Sequence, residues 1–390
     1  MGPASSRLRY AGWLRRVAVD VRAPVHVAVV GAGIVGCAVA YELARRGTRV
    51  TVIERRAVGR GATQASAGVL SPYISAHHGP LLELGGRSLR LYDEFVARVV
   101  EDSGSTVQYV RNGTIEVALD ETSAIRLRAT AAAYERSGVT ARYLEPPELH
   151  AAEPQLTTDV CGGISVETHG YVAATELTGA LRRAAGAHGV TFVSSTAVTR
   201  VSRPRESLLL ETAHEAVECD AAVIAAGSWS GQVEVVGEDP LPVRPVRGQL
   251  LHLGWPTTPL ERVVWTDACY LVPWTDGSLL VGATVEEVGF DERATVAAVR
   301  DLIAKTCRLV PRAEHAWFTE VRVGLRPATA DDLPAIGAGR TPGLFYATGH
   351  FRDGLLLAPL TAALVADLVL DGKRDAALAV TDPLRFAAPQ

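Results

Sequence analysis

Six residues near the N-terminus, Gly31-Ala32-Gly33-Ile34-Val35-Gly36, have the types and spacing needed to hold a pyrophosphate. Gly31 permits a tight turn out of a strand. Gly33 leaves the backbone bare for close approach of a phosphate, and Gly36 lets the following helix pack closely on the strand. The free N–H groups of a helix start, at the positive end of its dipole, then face the negative charge. Glu54 lies 18 residues beyond Gly36, where an acid accepts hydrogen bonds from ribose hydroxyls. An acid there disfavours a 2′-phosphate, hence NADP, but the fingerprint leaves FAD and NAD both open. Residues 59–68 (GRGATQASAG) are small and polar with no helical period, suited to lying along an extended cofactor. Far along the chain, residues 349–354 (GHFRDG) read as a turn opening a helix, whose N–H groups and dipole again favour an anion.

These residues need elements to hold them. Residues 26–31 form a β-branched, apolar run ending in glycine, the pattern of a buried parallel strand. Residues 34–46 follow with helical spacing, placing Val35, Val39 and Leu43 on one face, and Gly47 stops the helix. Residues 49–53 make a second strand, completing a β-turn-α-β unit. Further on, the pattern predicts helices over 84–101 and 121–137 and a strand over 110–119. From 190 onward it predicts short strands, including 198–201, 208–211 and 221–226. Between 250 and 283 strands recur at hairpin spacing, with turns expected at Gly254 and Asp276-Gly277. A strand over 344–348 and a helix over 354–370 close the chain.

The implied fold class is mixed α/β, with a Rossmann-like parallel module built from both ends of the chain and a mainly antiparallel sheet from its middle. The expected division is 25–85, 150–235 and 325–375 for the nucleotide module, and 86–149 and 236–324 for the substrate module. Residues 1–24 are expected to form a flexible, solvated extension.

Composition narrows the class further. The 390 residues are 48% apolar and 21% charged with a net charge of −4, a globular balance offering no basic face for nucleic acid. Five widely spaced cysteines, with no CxxC pair, suit a reducing compartment and argue against a disulfide framework or zinc site. No metal is expected, since neither HExxH nor a close His/Cys cluster occurs. A serine hydrolase is disfavoured by the lack of a GxSxG nucleophile turn. The first 24 residues carry five arginines and no continuous apolar stretch, which argues against a secretory signal. Residues 355–370 are interrupted by Pro359 and Asp367 and read as a core helix, not a membrane span. The expected location is the cytoplasm.

Several segments together resemble the D-amino-acid oxidase-like flavoproteins, and within them the bacterial glycine oxidases of thiamine biosynthesis. They are residues 27–47, 52–72, 221–231, 244–253, 269–291, 323–337 and 344–370. The resemblance implies a fold of glutathione-reductase-like, D-amino-acid oxidase type and FAD bound in extended form. It places Ile34 and Val35 under the pyrophosphate, and Glu54 and Arg55 at the adenosine ribose. Ala62, Thr63, Ala67, Gly68 and Val69 line the phosphates and flavin, and Val198 meets the adenine. His350, Phe351, Arg352, Asp353, Gly354, Leu355 and Leu356 wrap the flavin ring, their helix dipole facing its anionic reduced form. Some relatives attach FAD through a cysteine near the LRP motif. Residues 321–336 hold none, so non-covalent FAD is expected.

On the substrate side the resemblance assigns Arg326 to the carboxylate, Tyr270 to its support, and Arg352 to a second cation nearby. Arginine suits the task because its planar fork gives a carboxylate two parallel charge-assisted bonds. The implied reaction is hydride transfer from a small amine or amino acid to flavin, giving an imine and then a 2-oxo acid and ammonia, with oxygen reduced to peroxide. The imine is alternatively used for thiazole assembly. Two positions depart from the glycine oxidase pattern: Ala268 stands for a histidine and Val285 for a methionine. Glycine, sarcosine and small D-amino acids therefore all remain open as substrates. A dehydrogenase passing electrons to a quinone or another carrier, a sarcosine oxidase-like enzyme and a flavin-bearing protein without turnover are the alternatives. The expected partners are the substrate, molecular oxygen and further copies in a homo-oligomer, with neither nucleic acid nor a membrane.

Overall fold

The computed structural model describes residues 26–74, 79–255 and 260–387, so the expectation for residues 1–24 lies outside the described residues. The fingerprint strand is His26–Val30, buried throughout after His26. It runs parallel to Arg49–Ile53 on one side and Ala221–Ile224 on the other. A strand covered on both faces needs an unbroken apolar run, not alternation, and Val27 to Val30 supply it. The six-stranded sheet has the order Ala335–Ala338, Leu344–Thr348, Ala221–Ile224, His26–Val30, Arg49–Ile53, Thr191–Val193. Only the first of these strands runs antiparallel to its neighbour.

The fingerprint helix, Ile34–Arg45, is buried at every residue except Arg45. It packs against the helices Ala174–Ala187 and Gly354–Asp371. The second of these is apolar all round and carries Pro359. By length and composition it could cross a membrane, yet most of it is buried inside the molecule. The proline removes the donor that the Leu355 carbonyl would have met one turn on. The Tyr92 hydroxyl donates to that carbonyl instead, and Ser88 Oγ accepts from Leu360 N at 3.3 Å. Both partners come from the helix Gly79–Ser103.

The second large sheet has eight strands: Trp317–Ala328, Arg244–Gly254, Leu279–Gly282, Tyr270–Pro273, Val263–Trp265, Thr114–Ala118, Gly162–Val166 and Ala141–Leu144. It is antiparallel except where Val263–Trp265 lies parallel to Thr114–Ala118. The mixed α/β expectation therefore holds, with differences in grouping. The helix expected over 84–101, mostly within the substrate module, forms as Gly79–Ser103, and its Leu84, Leu89, Tyr92 and Phe95 join the core around the fingerprint helix. Gly162–Val166 was expected in the nucleotide module and instead pairs within the eight-stranded sheet.

Local differences have local causes. The strand expected over 110–119 is split by Gly113 at φ +82° into Tyr109–Val110 and Thr114–Ala118. Gly254 is not a turn but the end of a long strand. A Cβ there would lie 1.9 Å from Trp317 Nε1, so the glycine makes room for an indole. The turn at Asp276-Gly277 forms as expected, with Asp276 Oδ1 accepting from Ser278 N at 2.8 Å. Residues 59–68 include one short 3-10 turn, Ala62–Ala65.

Candidate active site

One cavity of about 650 Å³ opens where the two large sheets face each other. Its first wall is made of the carboxyl ends of parallel strands: Val30 and Gly31, Ile53 and Glu54, Ala225, and Ala347 and Thr348. Ligands of open α/β sheets bind in this crevice because strands end there and helix starts point into it. The opposite wall comes from the antiparallel sheet, with Trp265, Tyr270, Gly282 and Arg326 among its residues.

The structure brings most of the sequence-derived residues to this cavity. Gly31, Gly33, Ile34, Val35, Glu54, Arg55, Ala62, Thr63, Ala67, Gly68, Val69 and Val198 line it. So do Tyr270, Arg326, His350, Phe351, Arg352, Asp353, Gly354 and Leu355. Two expected cofactor residues do not. Leu356 turns into the core around the fingerprint helix, and Gly36 lies beneath the turn, where a Cβ would sit 2.0 Å from Gly31 O. Gly36 therefore serves helix packing, not contact.

At the fingerprint end, Gly31 has φ +106°, and a Cβ would come within 2.5 Å of Ala225 O. Both facts require glycine. Gly33 is different: only Thr63 Oγ1, at 3.4 Å, stands near its missing Cβ, so the backbone there is bare on the cavity side. Ile34 N already donates to Thr63 Oγ1 at 3.1 Å. Glu54 accepts from Ala32 N and from Arg56 N, each at 2.7 Å, and so ties the second strand to the fingerprint turn. Each carboxylate oxygen retains a further lone pair for a ribose hydroxyl.

Sequence reasoning missed neighbours that are distant along the chain. Arg55 and Arg56 both place their guanidinium carbons 4.8 Å from the Trp229 ring centre. Arg56 also grips Glu292 through two nitrogens, at 3.0 and 2.6 Å. No local motif signals contacts across such separations. A bare glycine turn, a carboxylate at the end of the second strand, flanking arginines and a long two-walled cavity together fit an extended dinucleotide.

At the other end, Arg326 sits on strand Trp317–Ala328, opposite Val246. Its Nη1 donates to Thr284 O at 2.9 Å, and it forms no ion pair among the described residues. Burial lowers its pKa, since taking a cation out of water favours the neutral form. The Tyr270 hydroxyl, whose own pKa is raised by burial, feels both Arg326 and Arg352. Space for these two side chains is provided by glycines on neighbouring strands. A Cβ on Gly248 would lie 2.4 Å from Arg326 Cζ, and one on Gly282 would lie 2.2 Å from the Tyr270 ring. Gly282 is directly opposite Tyr270 in the hairpin.

The turn over residues 349–354 ties the two ends together. Phe351, at φ +47°, donates from its N to Pro327 O at 2.8 Å, next to Arg326 in the chain. Ser228 Oγ donates to Leu325 O at 2.8 Å on the other side. His350 is buried, with Nε2 3.0 Å from Thr361 Oγ1. Burial pushes its pKa down to about 4 against the pull of Asp353, so it is neutral near pH 7. Asp353 occupies the N-cap position without a side-chain capping bond.

A glycine-rich turn at the carboxyl ends of parallel strands, facing a second sheet across the cavity, marks the class as a dinucleotide-binding α/β protein. The chain belongs to the DAO family, described as FAD dependent oxidoreductase, which matches residues 26–368. It is 33% identical to a glycine oxidase of Geobacillus kaustophilus over 347 residues, 88% of this chain and 92% of that protein. It is 34% identical to the bifunctional protein ThiO/ThiG of a Nostoc species over 358 residues, covering 90% of this chain and 53% of that protein. The crystal structure of the Geobacillus kaustophilus glycine oxidase superposes with a TM-score of 0.89, covering 93% of this chain and 99% of that one. The chain is thus an FAD-dependent amino-acid oxidase, with oxidation of an amine or amino acid as its reaction class.

Proposed function

We propose that the enzyme oxidises glycine or another small amine-bearing acid to an imine, which water converts to a 2-oxo acid and ammonia. The observation carrying this reading is Arg326, a buried guanidinium at the cavity with no carboxylate partner among the described residues. A buried unpaired cation is costly unless a ligand supplies the anion. Bound FAD supplies the two-electron acceptor for the Cα–H hydride, and molecular oxygen takes those electrons to become hydrogen peroxide. Arg326 holds the substrate carboxylate by its planar fork, and the Tyr270 hydroxyl donates to the same group. Arg352 adds a second positive charge at the cavity, and neutral His350 adds none. With the amine bound neutral, no strong general base is required. Ala268 and Val285 both line the cavity, and their small apolar side chains suit glycine, sarcosine or a short D-side chain.

The FAD is held without a covalent bond. Cys269 lines the cavity, but burial raises its thiol pKa and so disfavours the nucleophilic thiolate. Acid precipitation is expected to leave the protein colourless and the flavin in solution. The central test is anaerobic mixing of the holoenzyme with glycine, sarcosine and D-alanine, followed by admission of oxygen. Bleaching of the flavin by at least one substrate, then recovery with one peroxide per turnover, is expected. No bleaching by any of them, or recovery only with a quinone, overturns the reading.

A further inference from the structure

Arg326 is held from behind by a carbonyl, that of Thr284, and Thr284 is itself clamped on several sides. Its hydroxyl accepts from Gln249 N at 2.9 Å and donates to Glu286 Oε1 at 2.6 Å. Gln249 is fully buried. Its Nε2 donates to the same Glu286 oxygen at 2.8 Å and to Thr295 Oγ1 at 3.2 Å, while its Oε1 accepts from Thr295 N at 2.8 Å. The other oxygen of Glu286 accepts from Arg247 Nη2 at 2.6 Å. Arg247, its side chain only 5% exposed, also pairs with Asp291 at 3.2 Å. Backbone bonds of 2.9 and 3.0 Å join Arg247 and Glu286 in both directions.

None of Arg247, Gln249, Thr284 and Glu286 lines the cavity, whereas their neighbours Ala283 and Val285 do. Burial works to raise the Glu286 pKa, but the bonds from Arg247, Thr284 and Gln249 outweigh it and hold the carboxyl below its usual range. The result is a fixed anion with both oxygens engaged, placed behind the carbonyl that Arg326 donates to.

We propose that Arg247, Gln249 and Glu286 are positioning residues for the substrate carboxylate, acting through the Thr284 carbonyl on the Arg326 guanidinium. This rests on the reading of Arg326 as the carboxylate ligand. A planar fork binds a carboxylate through two parallel bonds only if its plane is fixed, and a guanidinium on three flexible methylenes does not fix its own plane. The Thr284 bond occupies one edge, the Tyr270 hydroxyl lies within reach of the guanidinium, and the remaining N–H groups are left for substrate. Without the clamp, residues 283–286 are free to shift, and the fork shifts with them.

The test uses holoenzymes of the wild type, Glu286→Gln, Thr284→Val, Thr284→Ser and Arg326→Ala. Acetate binding is read from the perturbed flavin spectrum, and glycine KM and kcat are measured alongside. Glu286→Gln and Thr284→Val are expected to weaken acetate binding and raise KM about tenfold, as when outer-shell partners of a fixed ligand are lost. The kcat is expected to stay within about twofold, since the chemistry is untouched once substrate is seated. Thr284→Ser keeps the hydroxyl and is expected to restore wild-type values; it and Thr284→Val decide the matter should Glu286→Gln fail to fold. If Arg326→Ala weakens acetate binding but Glu286→Gln and Thr284→Val leave it and KM unchanged, the cluster is structural only and the proposal falls. If Arg326→Ala itself leaves acetate binding unchanged, the carboxylate reading fails, and the proposal with it.

Discussion

The two ends of the cavity are built by opposite means. At the nucleotide end the site is mostly backbone: a glycine turn, the amides of Ala32 and Arg56, and strand termini that the chain reaches within about thirty residues. At the substrate end it is side chains brought from separate strands and a distant turn, and fitted over glycines of neighbouring strands. Backbone sites are specified by local conformation, so they leave a compact sequence signature. Side-chain sites are specified by cross-strand register and by what neighbours omit.

This contrast predicts different failures. The largest belongs to Gly36→Val. Its side chain meets the Gly31 carbonyl at 2.0 Å, a backbone contact that cannot yield cheaply. Overpacking that side chains can relieve costs about 1–3 kcal/mol; a clash this deep on fixed backbone exceeds that range, so soluble yield and FAD content should collapse together. Wild-type FAD stoichiometry in this variant would show that the turn tolerates a wider gap.

Next comes Arg326→Ala, which should keep its FAD while kcat/KM for glycine falls by roughly 10²- to 10³-fold. Truncating one partner of a buried charge pair costs about 2–5 kcal/mol. Loss of FAD in this variant would mean that the two ends are not separable.

Gly248→Ala sharpens the comparison. Its Cβ would press on Arg326 Cζ at 2.4 Å, but the contact is with the end of a flexible side chain. A KM rise of about tenfold with unchanged FAD content is expected, about 1.4 kcal/mol. An unchanged KM would show that the guanidinium has an equivalent second seat.

The smallest effect is expected at His350, and only in acid. Its folded pKa, about 4, lies below its unfolded value, so its contribution to stability is complete above the unfolded pKa and lost as pH falls through about 4. His350→Gln should flatten the decline of Tm over that window by about 2–4 °C at pH 5. A parallel decline in both proteins would assign the acid sensitivity to other groups.

The nucleotide strand, turn, helix and second strand were legible because burial on both faces, glycine spacing and helical period are all local signals. Arg326 and Tyr270 were singled out by resemblance, and their register then placed both on the cavity. Gly248 and Gly282 were not legible as site residues. Their role is to lack a Cβ opposite a particular side chain, and that side chain is fixed only by strand pairing. Arg247, Gln249 and Glu286 were passed over for the same reason, since their contacts cross strands and a loop.

The sequence by itself determined the class of cofactor, because a pyrophosphate cradle needs glycines at set intervals and an acid a fixed distance on, and the chain writes these consecutively. Only the tertiary structure decided that Arg326 is buried, forms no ion pair among the described residues and is held in place by Thr284. Desolvation and guanidinium orientation depend on what packs around a side chain, and those neighbours come from strands and loops far apart in the chain.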